Sequence, residues 1–163
     1  MFTMPEKIIY ALPEQIGNTE LFVGRKKEFD YYLGDWYRYL VKNMAQSQAI
    51  VARRKKGKTA FLQRLFNILW SCSESKVIPF YYVIQDKPVT LSGFAEDFFT
   101  QFMWQFLSFR DRKEEYLSYP IGFEKLAPLV KGDKYLTDAY ETMAIKKKED
   151  DWDGMWNTAS RLP

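Results

Sequence analysis

The eight residues Ala52-Arg53-Arg54-Lys55-Lys56-Gly57-Lys58-Thr59 constrain this chain more than any other feature of it. They follow a short apolar run, Ala49 to Ala52, and precede a helical stripe of Phe61, Leu62, Leu65, Phe66 and Leu69. A strand-like run, a loop ending in Gly-Lys-Thr and an amphipathic helix, in that order, form the setting of a phosphate-binding loop. The chemistry explains the residue types. Backbone N–H groups must turn inward around phosphate oxygens, and Gly57 supplies backbone angles that other residues resist. Lys58 brings a cation to the outer phosphates, and the Thr59 hydroxyl is placed to meet Mg²⁺. The helix that begins here, with Ala60 in its first turn, adds the positive end of its dipole. Ala52 stands where the pattern has its first glycine, a departure that a negative φ accommodates. The competing reading is a polybasic patch, because Arg53, Arg54, Lys55, Lys56 and Lys58 are all cationic.

Composition narrows the alternatives. With 163 residues the chain suits one domain with a genuine core, and a net charge of +3 is too small to imply a nucleic-acid or membrane partner by itself. It has no histidine and one cysteine, Cys72, which excludes histidine-dependent triads, intrachain disulfides and multi-cysteine zinc sites. Cys72, at the end of an apolar helix, reads as a packed residue rather than a nucleophile. The first 16 residues mix charges and prolines and do not resemble a secretory signal. No run approaches the ~20 apolar residues of a membrane span, so a cytoplasmic protein is expected.

Three- and four-residue spacing of Phe29, Tyr32, Leu33, Trp36, Tyr37, Leu40 and Val41 predicts an amphipathic helix after a lead-in segment, residues 1–20. Residues 49–52 and Val77–Ile84 are the candidate strands; Pro79 pushes the second towards an outer position. A phenylalanine-rich helix over about 93–109 is apolar around most of its circumference and so is expected to be buried on more than one side. From Arg110 onwards the chain is more charged, with helical patterns around 135–143 and 152–159 and a solvated turn or helix end at Lys146–Asp151. Trp152 and Trp156 fit amphipathic packing. Residues 21–109 thus form the expected core and 110–163 a helical extension of the same domain.

Leu21-Phe22-Val23-Gly24-Arg25, with Glu28 following, sharpens the picture. Together with Ala52–Thr59, Arg64-Leu65-Phe66 and Ile78–Tyr82, this segment resembles the AAA+/STAND-type ATPases, especially archaeal-type ATPase families that open on a VGR-x-x-E segment. The resemblance covers about residues 21–107. It implies an α/β fold with a parallel sheet flanked by helices, ATP and Mg²⁺ as ligands, and Val23, Gly24 and Arg25 beside the adenine. Without the resemblance, Gly24-Arg25 is merely a helix start. The acid that such ATPases place at the end of a later strand is not identifiable. Asp86, after the Val77–Ile84 run, reads as a turn residue rather than that acid, and the catalytic residues stay unassigned. The chain therefore looks like the front part of a longer ATPase, one that hydrolyses ATP when intact and whose open sheet edge favours self-association. The alternatives are a nucleotide switch without turnover and a basic module for nucleic acid or protein.

Overall fold

A computed structural model describes residues 2–16, 18–84, 90–118 and 122–162. The stripe from Phe29 to Val41 becomes helix α1 (Lys26–Tyr31), a π-helical stretch (Tyr32–Trp36) and α2 (Tyr37–Val41), without interruption. The wide turn contains Gly34, a weak helix former, and single π turns of this kind occur as insertions within α-helices. α3 (Lys58–Ser71) follows the basic loop. Its Leu65, Ile68 and Leu69 pack with Leu33 and Tyr37, and Phe2, Ile8, Phe29, Tyr32 and Val77 close around them. Each large apolar side chain buried there contributes about 1.5–3 kcal/mol.

The opposite face of α3 is polar, yet from Ala60 to Trp70 only Leu62 is exposed. The lead-in segment covers that face. Ser71 Oγ accepts from Ile9 N at 2.8 Å, Asn67 Oδ1 from Leu12 N at 2.9 Å, and Gln63 Oε1 from Gln15 N at 2.7 Å. Asn67 Nδ2 also donates to the Leu12 carbonyl, so one side chain pairs with both backbone groups of Leu12, as a neighbouring strand would. One step along, Arg64 makes a two-pronged ion pair with the fully buried Glu14 (2.7 and 2.9 Å) and donates to the Thr19 carbonyl. Its guanidinium lies near the Tyr10 and Phe22 rings. The backbone groups of an extended segment must be satisfied somewhere, and here helix side chains satisfy them.

Chain contacts divide the protein into residues 1–81 and residues 82–163. The second unit is built on α4 (Leu91–Asp111), whose Thr90 cap accepts from Gly93 N. Ala95, Phe99, Met103 and Leu107 recur every four residues and form its buried seam. After α5 (Glu115–Ser118), a 3₁₀ turn (Phe123–Leu126) and α6 (Ala127–Val130), the long helices α7 (Lys134–Lys148) and α8 (Trp152–Ser160) bring Leu136, Met143, Met155 and Ala159 to the same core. Phe123 stacks on Tyr140 at 4.7 Å, and Trp156 meets Phe94 and Phe98. The Lys146–Asp151 run is a helix end followed by a cap: Lys146 pairs with Asp151, whose carboxylate accepts from Gly154 N.

The expected α/β fold with a parallel sheet is not what the structure shows. Among the described residues every regular element is helical and there is no strand. The 49–52 and Val77–Ile84 runs carry no regular secondary structure and no ladder. A buried parallel strand needs both faces covered; Val51 instead is 91% exposed and Ile84 76% exposed. Pro79, which lacks an N–H, is buried within the second run. An apolar run of four residues carries too little period to distinguish a strand from a loop.

Candidate phosphate-binding loop

Residues 53–57 turn tightly into α3. Lys55 and Gly57 adopt left-handed φ of 64° and 70°, and Gly57 is the N-cap of α3. A glycine cap brings no side chain to the helix end, and no side-chain hydrogen bond caps α3. The first helical bond runs from Phe61 N to the Gly57 carbonyl at 3.0 Å. The amides of Lys58, Thr59 and Ala60 therefore precede the helical ladder, at the positive end of a 14-residue helix.

The lysine of the loop turns back on it. Lys58 Nζ donates to the carbonyls of Ala52 at 2.5 Å and Arg53 at 3.2 Å, spanning the entrance of the turn. Ala52 is half-buried, whereas Arg53, Arg54, Lys55 and Lys56 are exposed. Thr59 is half-buried and Ala60 is buried. Four exposed cations, a fifth folded across the turn and a run of helix-end amides thus gather within eight residues.

From the upstream segment, Arg25 reaches the loop. Gly24 and Arg25 take left-handed φ of 82° and 60°, turning the chain into α1. The Arg25 guanidinium donates to the Lys56 carbonyl and also to Glu28 Oε1, the latter at 2.9 Å. Arg25 is thereby brought to the turn that precedes α3. Val23 is 85% exposed. The hydrogen bond from Arg25, with its charge, holds the Glu28 carboxyl below the ordinary carboxylate range. Sequence reasoning gave Glu28 no site role; its three-residue spacing from Arg25 was the available signal. Asp86 lies outside the described residues.

The donor set suits a polyphosphate and offers little to a bare metal ion. Among the described residues no group of three or more cysteine, aspartate or glutamate side chains is placed to hold one. A magnesium ion arriving with phosphates keeps several waters and needs only one or two protein ligands. The Thr59 hydroxyl is the ligand the motif supplies. Among the described residues no helix is long and apolar enough to cross a membrane. Comparisons with protein-family models, curated proteins and solved structures found no match.

Proposed function

We propose that the chain binds the polyphosphate of a nucleoside triphosphate, ATP with Mg²⁺, in the loop from Ala52 to Thr59. The supporting observation is the start of α3: an uncapped helix N-terminus behind a left-handed Gly57, with Lys58 poised over the turn. Amides at such a helix end attract an anion without first displacing a capping side chain. On binding, Lys58 exchanges its two carbonyl acceptors for phosphate oxygens, a cation–anion contact stronger than the cation–carbonyl contacts it leaves. Arg53, Arg54, Lys55 and Lys56 raise the local positive potential and speed encounter. Mg²⁺, when bound, neutralises phosphate charge, with Thr59 as its protein ligand.

ATP hydrolysis belongs to the same proposal. It needs a carboxylate to position water, and no residue is assigned that role. The Val23-Gly24-Arg25 segment and the loop together support the likeness to AAA+/STAND-type ATPases as a reading of the site residues rather than of the fold.

Calorimetric titration of the chain with Mg-ATP tests the reading. Lys58→Ala should weaken binding at least about tenfold, the scale of losing one charged hydrogen bond. Equal affinity in both proteins would overturn it. So would binding confined to single-stranded nucleic acid with a steep salt dependence, the behaviour of a plain basic patch.

A further inference from the structure

We infer that Arg25 is a positioning residue for the phosphate-binding turn, holding it in register from outside through the Lys56 carbonyl, with Glu28 orienting the guanidinium. This rests on the polyphosphate reading for its consequence, though not for its geometry. Three observations carry it. Arg25 lies 31 residues from Lys56 in sequence, so the hydrogen bond between them is a tertiary tie rather than part of the loop's own turn. The same side chain is held from behind by Glu28 at 2.9 Å, which leaves its other nitrogen aimed at the carbonyl. Finally, Arg25 adopts φ 60° after Gly24 at φ 82°. A non-glycine residue takes left-handed backbone at a cost, and persists there only where surrounding contacts hold it.

The consequence follows from the peptide geometry. The Lys56 carbonyl belongs to the same rigid peptide plane as the Gly57 N–H. Fixing the oxygen fixes the direction of that N–H, one residue ahead of the Lys58, Thr59 and Ala60 amides that open α3. The guanidinium thus acts on phosphate through the backbone, donating to protein on both sides. Lysine cannot replace it, because one ammonium lacks the planar fork that reaches two acceptors in fixed directions.

This role gives predictions that a simple attractive charge does not. A charge effect makes Arg25→Ala weaken Mg-ATP binding and makes Glu28→Gln strengthen it, since removing the acid leaves more positive field. The positioning role makes Arg25→Ala, Arg25→Lys and Glu28→Gln all weaken binding, by about three- to tenfold, less than the full worth of a charged hydrogen bond because the tie reaches phosphate only through the backbone. The salt dependence keeps its slope, because Arg25 releases no phosphate counterion. The tie is also testable without any ligand. Backbone ¹⁵N relaxation on the full chain should show the order parameters of Lys56 and Gly57 falling below about 0.6 in Arg25→Ala, from rigid-backbone values in the parent. Unchanged order parameters would overturn the inference, as would tighter binding by Glu28→Gln. If the parent chain binds no Mg-ATP, the polyphosphate reading fails while the relaxation experiment still decides the tie.

Discussion

The surroundings of Tyr82 hold its phenol in the neutral form. Its hydroxyl donates to Asp97 Oδ2 at 2.8 Å, and its ring packs edge-on against Phe94 and Phe98. Gln101 Nε2 donates to the same carboxylate oxygen at 2.9 Å. Burial disfavours the phenolate first, and the Asp97 carboxylate adds to it, so the pKa rises from 10 to about 12. A folded-state pKa above the unfolded value means that the neutral hydroxyl stabilises the fold. That contribution is complete below about pH 10 and is lost as pH rises through about 12. Difference absorbance titration of the parent against Tyr82→Phe should isolate one tyrosine ionising near 12, and Asp97→Asn should move it down towards 10. A difference curve centred at 10 in the parent would mean that the ring is solvated and the hydrogen bond absent.

Between helix and segment, α3 and the lead-in show how much of this structure the sequence carries in legible form. Apolar spacing located α1–α2, α3, α4, α7 and α8, since helical burial repeats over many residues and leaves a strong period. It failed at 49–52 and Val77–Ile84, where the runs are short and only tertiary contacts decide between strand and coil. The lead-in has no period of its own, so its sequence predicts no element and no packing role for it. The information lay in its partner: Gln63, Asn67 and Ser71, with Arg64 beside them, form a polar stripe at four-residue spacing on a helix that is apolar over most of the rest of its length. The local geometry of the candidate loop was more legible than the fold. Gly57-Lys58-Thr59 fixes local backbone chemistry within a few residues, and it does begin a helix. The Arg25–Lys56 tie was not legible, because a guanidinium donating to a backbone carbonyl leaves no mark in the acceptor's identity. The buried pair beside the stripe gives a test at this scale. Arg64→Met strands Glu14 as an uncompensated buried charge and should cost about 3–5 kcal/mol in urea unfolding. Arg64→Met combined with Glu14→Leu should cost clearly less than the sum of the two single changes, since no charge is then left unpaired. Additive losses would mean that Glu14 is hydrated and the pair contributes no coupling.

Over the whole molecule, the two apolar clusters belong to separate units. One gathers Leu33, Tyr37, Leu65, Ile68 and Leu69 within residues 1–81. The other gathers α4, α7 and α8 around Phe99, Met103 and Met143 within residues 82–163. The loop, Arg25, Glu28 and the lead-in contacts all lie in the first unit. Self-association through an open sheet edge loses its basis, since the described residues form no sheet. The expectation that the phenylalanine-rich helix is buried on more than one side agrees with α4, whose Phe98, Phe102 and Phe106 flank the buried seam and pack partly into the same core. Separate cores make the effects of core damage separable as well. Leu136 is 2% exposed in the second cluster, and Leu136→Ala should destabilise that unit by about 2–5 kcal/mol, the usual range for such a cavity. Its effect on Mg-ATP affinity should stay within about twofold, because changes without shared partners add nearly independently. Hydrogen exchange read by segment, alongside calorimetry, measures both quantities on one protein. Faster exchange in α7 and α8 with unchanged protection in α3 is the expected pattern. Equal loss of protection in α3, with Mg-ATP affinity falling in step, would make the two units one cooperative body and place the loop's stability under the control of the second core.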